Sequence, residues 1–348
     1  MTPLPTRDLE HVLRHMSPHC EDLRGANVFL TGGTGFFGTW LLESLVHASD
    51  ALELHARVTV LTRDADAARA RLPHLAGRQD LAWLAGDVRT FAFPAAEFTH
   101  VIHAASPIAR SFTPAEALDV LDTIVAGTRR VLELARVCHA RKLLFTSSGA
   151  VYGRQPPELT HVPETFAGAP ALDDPRAAYG EGKRAAEWLC RMHAARDGFD
   201  VKIARGFAFV GPRLPLDGPY AIGNFLRDAL RGGPVVVSGD GTPYRSYLYA
   251  ADLAIWLWTI LLAGRPGVAY NVGSEQAVTI AETARRVCAA VGGGAVEIRQ
   301  TPAPGRPAER YVPSTALART ELGLGENVAL DDALRRTVAV VANSVRTR

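Results

Sequence analysis

The 348-residue sequence predicts an α/β fold, a doubly wound parallel sheet that carries a smaller C-terminal α/β lobe. Three observations support that expectation. From Asn27 to Arg205, short β-rich runs alternate with stretches of helical spacing, the pattern of repeated βαβ units. The first such run ends in a glycine-rich turn, Thr31-Gly32-Gly33-Thr34-Gly35-Phe36-Phe37-Gly38, which opens a helix. Beyond Gly206 the alternation gives way to proline- and glycine-rich loops with shorter elements.

Taken in order, residues 7–24 read as a helical extension with Leu9, Val12 and Leu13 on one stripe and Pro18 limiting it. Asn27–Thr31 is apolar and ends in glycines, as a buried strand does, and Thr39–Ala48 has helical spacing. Arg57–Leu61, Leu81–Leu84 and His100–His103 are the next three strands. Leu118–Ala140 is a long helix, Lys142–Ser147 the fifth strand, and a helix over Tyr179–Ala195 leads to the sixth, Val201–Arg205. This is the order of a Rossmann-type sheet, whose ligands gather at the carboxyl ends of the strands. The expected division is a helical extension over 1–25, a dinucleotide-binding domain over 26–205 to which 239–263 returns, and a substrate lobe over 206–238 and 264–348. The lobe holds a strand at Val268–Val272, helices at Ile280–Val291 and Leu330–Val345, and a proline-rich loop at 302–307. Leu253–Leu262 is apolar but too short to span a bilayer; with Trp256 and Trp258 it reads as a buried helix.

Composition narrows the function classes. Apolar residues reach 47 % and charged residues 21 %, enough for a sizeable core beneath an ordinary surface. A formal net charge of +2 gives no basic surface for nucleic acid or membrane. The four cysteines, Cys20, Cys138, Cys190 and Cys288, form no CxxC pair, which points to a reduced, cytoplasmic protein without disulfides or a thiolate metal site. Charge and histidine throughout residues 1–25 argue against a signal peptide. His11, His15 and His19 recur every four residues, but no further ligand completes a metal set, so a solvated amphipathic helix is expected there.

Candidate chemistry begins with Gly32, Gly35 and Gly38. Glycine at this spacing allows a tight turn and a close backbone approach to a pyrophosphate resting on a helix N-terminus. Tyr179 and Lys183, four apart, share one helix face, where an ammonium can pull down a phenol pKa that starts near about 10 and make the tyrosine a general base. Ser148, at the carboxyl end of the fifth strand, offers a hydroxyl for a substrate oxygen. Asp87 is placed to receive an adenine amino group, or else to serve as a turn residue. At the end of the second strand, Thr62 and Arg63 stand where an acid would hold the ribose of NAD. Arg63 tilts the cofactor reading towards NADP, while Asp64 keeps NAD open. His103 reads as a packing residue at a strand end. Glu164, in the loop before the tyrosine helix, is a candidate to supply a carboxylate to the site, or else a loop glutamate that meets water.

Motif for motif, the chain resembles the extended short-chain dehydrogenase/reductases that modify nucleotide sugars. The resemblance rests on TGGTGFFG (31–38), GDV (86–88), HAA (103–105), SSGAVYG (147–153), YGEGK (179–183), RGFAFVGPR (205–213), GNFLRDAL (223–230), SGDGTPYRSYLY (238–249) and YNVGS (270–274). It implies Tyr179 as base, Lys183 as its electrostatic partner and Ser148 as the third catalytic residue. It implies a tightly bound NAD(P) contacted by Gly32, Gly35, Phe36, Phe37, Gly38, Arg63, Asp87, Val88, Ala104, Tyr179 and Lys183. A nucleotide-diphosphate sugar would meet Ser106, Ser148, Asn224 and Arg245, with Arg205 and Arg213 near the same cleft. A homodimer through the helices near Leu118–Ala140 and Tyr179–Ala195 is also implied.

The same resemblance bears on the reaction. Relatives that act as 4,6-dehydratases carry an acidic pair where this chain has Gly149 and Ala150, and UDP-glucuronate decarboxylases carry a glutamate at the position of Ala150. The run Pro175–Arg184 and Arg245 look like the decarboxylase group. The family's usual asparagine in the helix after the fourth strand is replaced by Ile124. With those carboxylates gone, 4-epimerisation is the leading expectation. The alternatives are a 4,6-dehydratase, a decarboxylase-like enzyme, a 4-ketosugar reductase, or a redox sensor that binds NAD(P) without turnover.

Overall fold

The computed structural model describes residues 1–107 and 113–345, so the last three residues of the 264–348 assignment lie outside it. The chain runs through α1 (Thr6–Met16), β1 (Asn27–Thr31), α2 (Phe36–Leu52), β2 (Arg57–Thr62), α3 (Ala65–Arg71), β3 (Leu81–Ala85), β4 (His100–His103), α4 (Pro114–Val137), β5 (Lys142–Ser148), α5 (Ala177–Asp197) and β6 (Asp200–Gly206). There follow β7 (Phe209–Val210), α6 (Ala221–Leu230), β8 (Val235–Val237), β9 (Tyr244–Arg245), β10 (Leu248–Tyr249), α7 (Ala250–Ala263) and β11 (Ala269–Val272). The chain ends with β12 (Val278–Thr279), α8 (Ile280–Ala290), β13 (Val296–Ile298), β14 (Arg310–Tyr311), α9 (Ala316–Leu322) and α10 (Leu330–Val345).

Seven parallel strands form the main sheet in the order β11-β6-β5-β4-β1-β2-β3. The central strands β1, β4 and β5 are buried almost throughout, as strands covered on both faces are, whereas β2 and the edge strand β3 keep exposed positions. One face is covered by α1, α2 and α7, with Trp40, Trp256 and Trp258 in its core; α4 and α5 cover the other. Both indole N–H groups of the α7 pair are satisfied, Trp258 donating to Ser44 Oγ at 2.9 Å and Trp256 to the Gly325 carbonyl at 3.0 Å. Beside the sheet, β9 pairs with β12 and β14, and β8 with β13.

Several boundaries differ from expectation for local reasons. Helix α4 begins at Pro114 rather than Leu118, because Thr113 caps it by accepting the Glu116 N–H and Pro114 occupies the first turn, where no amide is needed. Helix α5 extends to Asp197 and stops at Gly198, whose φ of 80° terminates the spiral. Ahead of Pro18 the α-helix ends, at Met16, as expected, and the extension continues as a 3₁₀ segment, Ser17–Leu23, that buries Cys20 and Leu23. Val268–Val272, read from sequence as part of the substrate lobe, supplies β11, the edge strand of the main sheet beside β6. Among the described residues no helix is long and apolar enough to cross a membrane.

Candidate active site

The glycine turn lies at the carboxyl end of β1. Gly32 has φ +73°, and a Cβ there would come within 2.6 Å of the Ala104 carbonyl carbon, so the backbones after β1 and β4 meet where only glycine fits. Gly38 lets the first turn of α2 rest on that loop, since a Cβ would lie 2.1 Å from the Gly32 oxygen. Gly35 caps this 17-residue helix without a side-chain hydrogen bond, leaving its first amides directed past the glycine turn. That arrangement fits a pyrophosphate: free N–H donors, the positive end of a helix dipole, and no Cβ in the way. Phe36 and Phe37 open α2, and Phe37 meets Phe209 edge to face at 5.0 Å.

At the adenosine end the expectations divide. Arg63 is exposed at the end of β2, and its charge helps to depress the Asp87 pKa. Asp64 accepts the Ala67 N–H and caps α3, so that carboxylate is already engaged. Asp87 is gripped by the Arg89 guanidinium at 2.9 and 3.0 Å, and this pairing is the main reason its carboxyl falls below the usual range. Val88 packs on Gly127 of α4. His103 bridges Thr31 and Thr128 at 2.8 and 3.1 Å, and burial pushes it down to about 3, so it is a neutral strut.

The chemistry-bearing side chains meet where β5 ends and α5 begins. Ser148 is the last residue of β5; its Oγ accepts the Ala150 N–H at 3.1 Å. Tyr179, in the first turn of α5, has its phenol beside the hydroxyls of Ser106 and Ser148, both of which favour its ionisation. One turn on, the buried Lys183 donates to the Thr146 carbonyl at 2.7 Å, with its Nζ 5.8 Å from the Tyr179 ring centre. Sequence reasoning expects the ammonium to draw the phenol down, but the net shift is upward. Burial penalises the phenolate most, and the hydroxyls of Ser106 and Ser148 only partly offset it.

Burial also lowers Lys183 to about 8, with the nearby Glu187 opposing the fall. The folded protein therefore gives up this proton before the unfolded chain does at its ordinary value of 10.5. Between those values the unfolded state binds more protons, so the contribution of Lys183 to stability rises with pH there, and the cost of its buried charge is present in full below about 8. Denaturant unfolding across this range should show that rise in the difference between wild type and Lys183→Met; a flat difference would contradict it.

Three residues near the site were not anticipated. Tyr311, on β14, brings its hydroxyl to 3.5 Å from Ser148 Oγ, and its ring packs on Phe207 at 4.7 Å. Tyr220, just ahead of α6, has its ionisation opposed by burial and by Tyr179. Glu187 anchors the back of the site, accepting Ser147 Oγ at 2.6 Å and the Arg205 fork at 2.7 and 2.9 Å. Arg205 is thus spent inside the fold, bound also to Tyr152, and is not a ligand for the cleft. Arg213 is likewise buried against Glu43 at 2.8 Å. Glu164 accepts the Asn271 N–H at 2.9 Å, bracing β11 instead of meeting water. Asn224 donates to the Gly218 carbonyl at 3.2 Å and holds the loop before α6, while Arg245 lies 5.9 Å from the Tyr311 ring centre. Ile124 packs on Gly182, closing α4 against α5. His11 and His15 serve the extension, bonding Asp252 and the His11 carbonyl.

Residues 28–273 match the NAD dependent epimerase/dehydratase family. UDP-glucuronic acid decarboxylase 1 of Xenopus tropicalis is 30 % identical over 311 residues, 89 % of this chain and 71 % of that protein. UDP-glucuronic acid decarboxylase 3 of Arabidopsis thaliana is 29 % identical over 88 % of this chain and 86 % of its own length. Among solved structures, the UDP-glucose 4-epimerase of Thermus thermophilus in complex with NAD superposes with a TM-score of 0.73 at 26 % identity, covering 90 % of this chain and 98 % of that one. The UDP-glucose 4-epimerase of Thermotoga maritima with UDP-glucose gives 0.78 at 21 % identity, covering 92 % and 99 %, and so shares the fold.

Proposed function

The chain belongs to the NAD-dependent epimerase/dehydratase family of extended short-chain dehydrogenase/reductases, and from that premise we propose that it is a nucleotide-sugar 4-epimerase. The observation that carries this reading is the space over Gly149. A Cβ there would lie 2.7 Å from the Phe207 ring and 2.8 Å from the Tyr311 hydroxyl, so these two rings occupy the room that a side chain at this position would need, and no acid stands where dehydratases keep one. Ala150, next in line, carries no proton. Among the described residues, the groups around Tyr179 are the hydroxyls of Ser106 and Ser148, the phenol of Tyr311 beyond Ser148, the phenol of Tyr220 and the Lys183 ammonium.

In this reading Tyr179 takes the proton from the sugar hydroxyl, Ser148 holds that oxygen, and Lys183 locks α5 to β5 while favouring the phenolate. A bound oxidised nicotinamide would supply hydride acceptance and return, and its positive charge would favour ionised Tyr179. The turn at Gly32, Gly35 and Gly38 and the start of α2 would hold its pyrophosphate, with Phe36, Phe37, Val88 and Ala104 as further contacts. Asn224 and Arg245 hold the sugar-nucleotide diphosphate. Without an acid to expel a leaving group, hydride return to the opposite sugar face is the available outcome. With substrate deuterated at C4, the label should reappear on C4 of the product, and its loss to solvent would refute direct return. Decarboxylation is a second reading, supported by the identity to UDP-glucuronic acid decarboxylases. It requires a proton carrier other than Ala150.

We further propose that Arg63 admits the 2′-phosphate of NADP, because Asp64 is engaged in capping α3. Arg63→Ala should weaken NADP about tenfold more than NAD in equilibrium binding; equal losses would discard the assignment. A homodimer through α4 and α5 is proposed as well, since Trp188, Met192 and Val137 are 61 %, 44 % and 49 % exposed on those helices. Trp188→Glu should halve the mass measured by light scattering, and an unchanged mass would exclude that face.

A further inference from the structure

We propose that Tyr311 is a positioning residue that turns the Ser148 hydroxyl proton towards Tyr179. The proposal rests on the assignment of Tyr179 as base, and it reaches across the 163 residues that separate Ser148 from Tyr311. Ser148 Oγ has one proton and two lone pairs. The Ala150 N–H occupies one lone pair at 3.1 Å. If Tyr311 donates to the other, the serine proton in the sugar-free enzyme is left for the Tyr179 oxygen, where it stabilises a phenolate, and it turns to the sugar oxygen when substrate enters. The reverse arrangement would make Tyr179 the donor and hold it protonated. Charge selects the first arrangement: the Lys183 ammonium lies 5.8 Å from the Tyr179 ring centre and favours the phenolate there, while burial pushes Tyr311 well above the ordinary tyrosine range, so it keeps its proton.

The fold fixes the position of this hydroxyl from several sides. Tyr311 is paired in register with Arg245 across β14 and β9, and its ring is held against Phe207. Gly149 lacks the Cβ that would stand 2.8 Å from the phenol oxygen. At 3.5 Å the contact with Ser148 is long for two hydroxyls, as catalytic hydrogen bonds often are before substrate tightens them. Among the described residues, the ionisable and charged groups facing Tyr179 are Lys183 on its own helix, Tyr220 ahead of α6, and Tyr311 on β14 with Arg245 behind it. Tyr311→Phe leaves all of these charges in place.

The test is an ultraviolet titration of tyrosinate on the protein saturated with NAD, taken as the difference from Tyr179→Phe so that only Tyr179 is read. Tyr311→Phe should raise the Tyr179 midpoint by roughly half to one pH unit, the size expected for one lost hydrogen bond. An unchanged midpoint overturns the proposal. In a Ser148→Ala background the same substitution should produce no further shift, and an equal shift in both backgrounds would show that Tyr311 does not act through Ser148. Where turnover is measured, the acid limb of kcat/KM, along which Tyr179 loses its proton, should move upward by the same amount with KM little changed. The titration needs no sugar substrate, so it stands or falls separately from the epimerase reading.

Discussion

Tyr179→Phe is expected to lower kcat by about a thousandfold, within the range of roughly 10²–10⁴ that a positioned general base contributes. The ring is retained, so α5 keeps its packing on the site; only the phenol oxygen is lost. Its partners, Ser106 and Ser148, are hydroxyls that can bond water or each other, so the cost in stability should stay near about 1 kcal/mol. Dinucleotide affinity should be close to wild type, because the glycine turn and the start of α2 are untouched. Steady-state kinetics with urea unfolding and NAD binding on the same preparation separate these effects. Near-normal turnover would remove Tyr179 as the base, and collapse of the fold would make its role structural.

Gly38→Ala should abolish measurable dinucleotide binding and destabilise the protein by about 3 kcal/mol, at the upper end for overpacking. The neighbours of the added methyl are backbone atoms, the Gly32 oxygen at 2.1 Å and the Gly33 Cα at 2.5 Å, and no rotamer change can move them aside. Alanine is otherwise the better helix former, so any loss arises from the clash. Gly25→Ala is the control: its φ of +64° makes alanine strained, but nothing lies within 4 Å. That variant should lose about 1–2 kcal/mol and keep full cofactor affinity. Equal behaviour of the two would mean that the contact of α2 with the turn does not shape the binding site.

How much of this is legible in the sequence follows from how local each signal is. The strands β1 to β6 are short β-rich runs set between helical stretches, and those at the centre of the sheet are apolar because both of their faces are covered. Helix α3 leaves no such mark, because ADAARAR buries only Ala68 and so shows no stripe. β11 reads as part of the lobe because its partner, β6, lies some 60 residues earlier, at Ile203–Gly206 against Ala269–Val272, and pairing at that range has no local mark. The proximity of Tyr179 and Lys183 can be read from helical spacing, and Ser148 from its strand end. Tyr311 cannot. It sits in a proline-rich stretch with no periodicity, and only the pairing of β14 with β9 delivers it to Ser148. The residue types of Arg205 and Glu164 suggest cleft ligands, but a buried partner, Glu187 for one and the Asn271 amide for the other, decides their use.

The direction of the Tyr179 shift carries the same lesson. Spacing correctly places an ammonium one turn away, but spacing says nothing of burial, and here burial outweighs the charge. For Tyr179 to act near neutrality, the Ser148 proton and the positive nicotinamide must together offset that burial.

Product identity tests the central claim most directly. The purified protein, supplied with NAD or NADP and with UDP-, dTDP- and CDP-hexoses, should convert at least one of them to its C4 epimer, resolved by proton NMR, with no net change in cofactor redox state. Release of carbon dioxide, or accumulation of a 4-keto-6-deoxy sugar, would contradict a site whose hydroxyls and lysine act without a carboxylate.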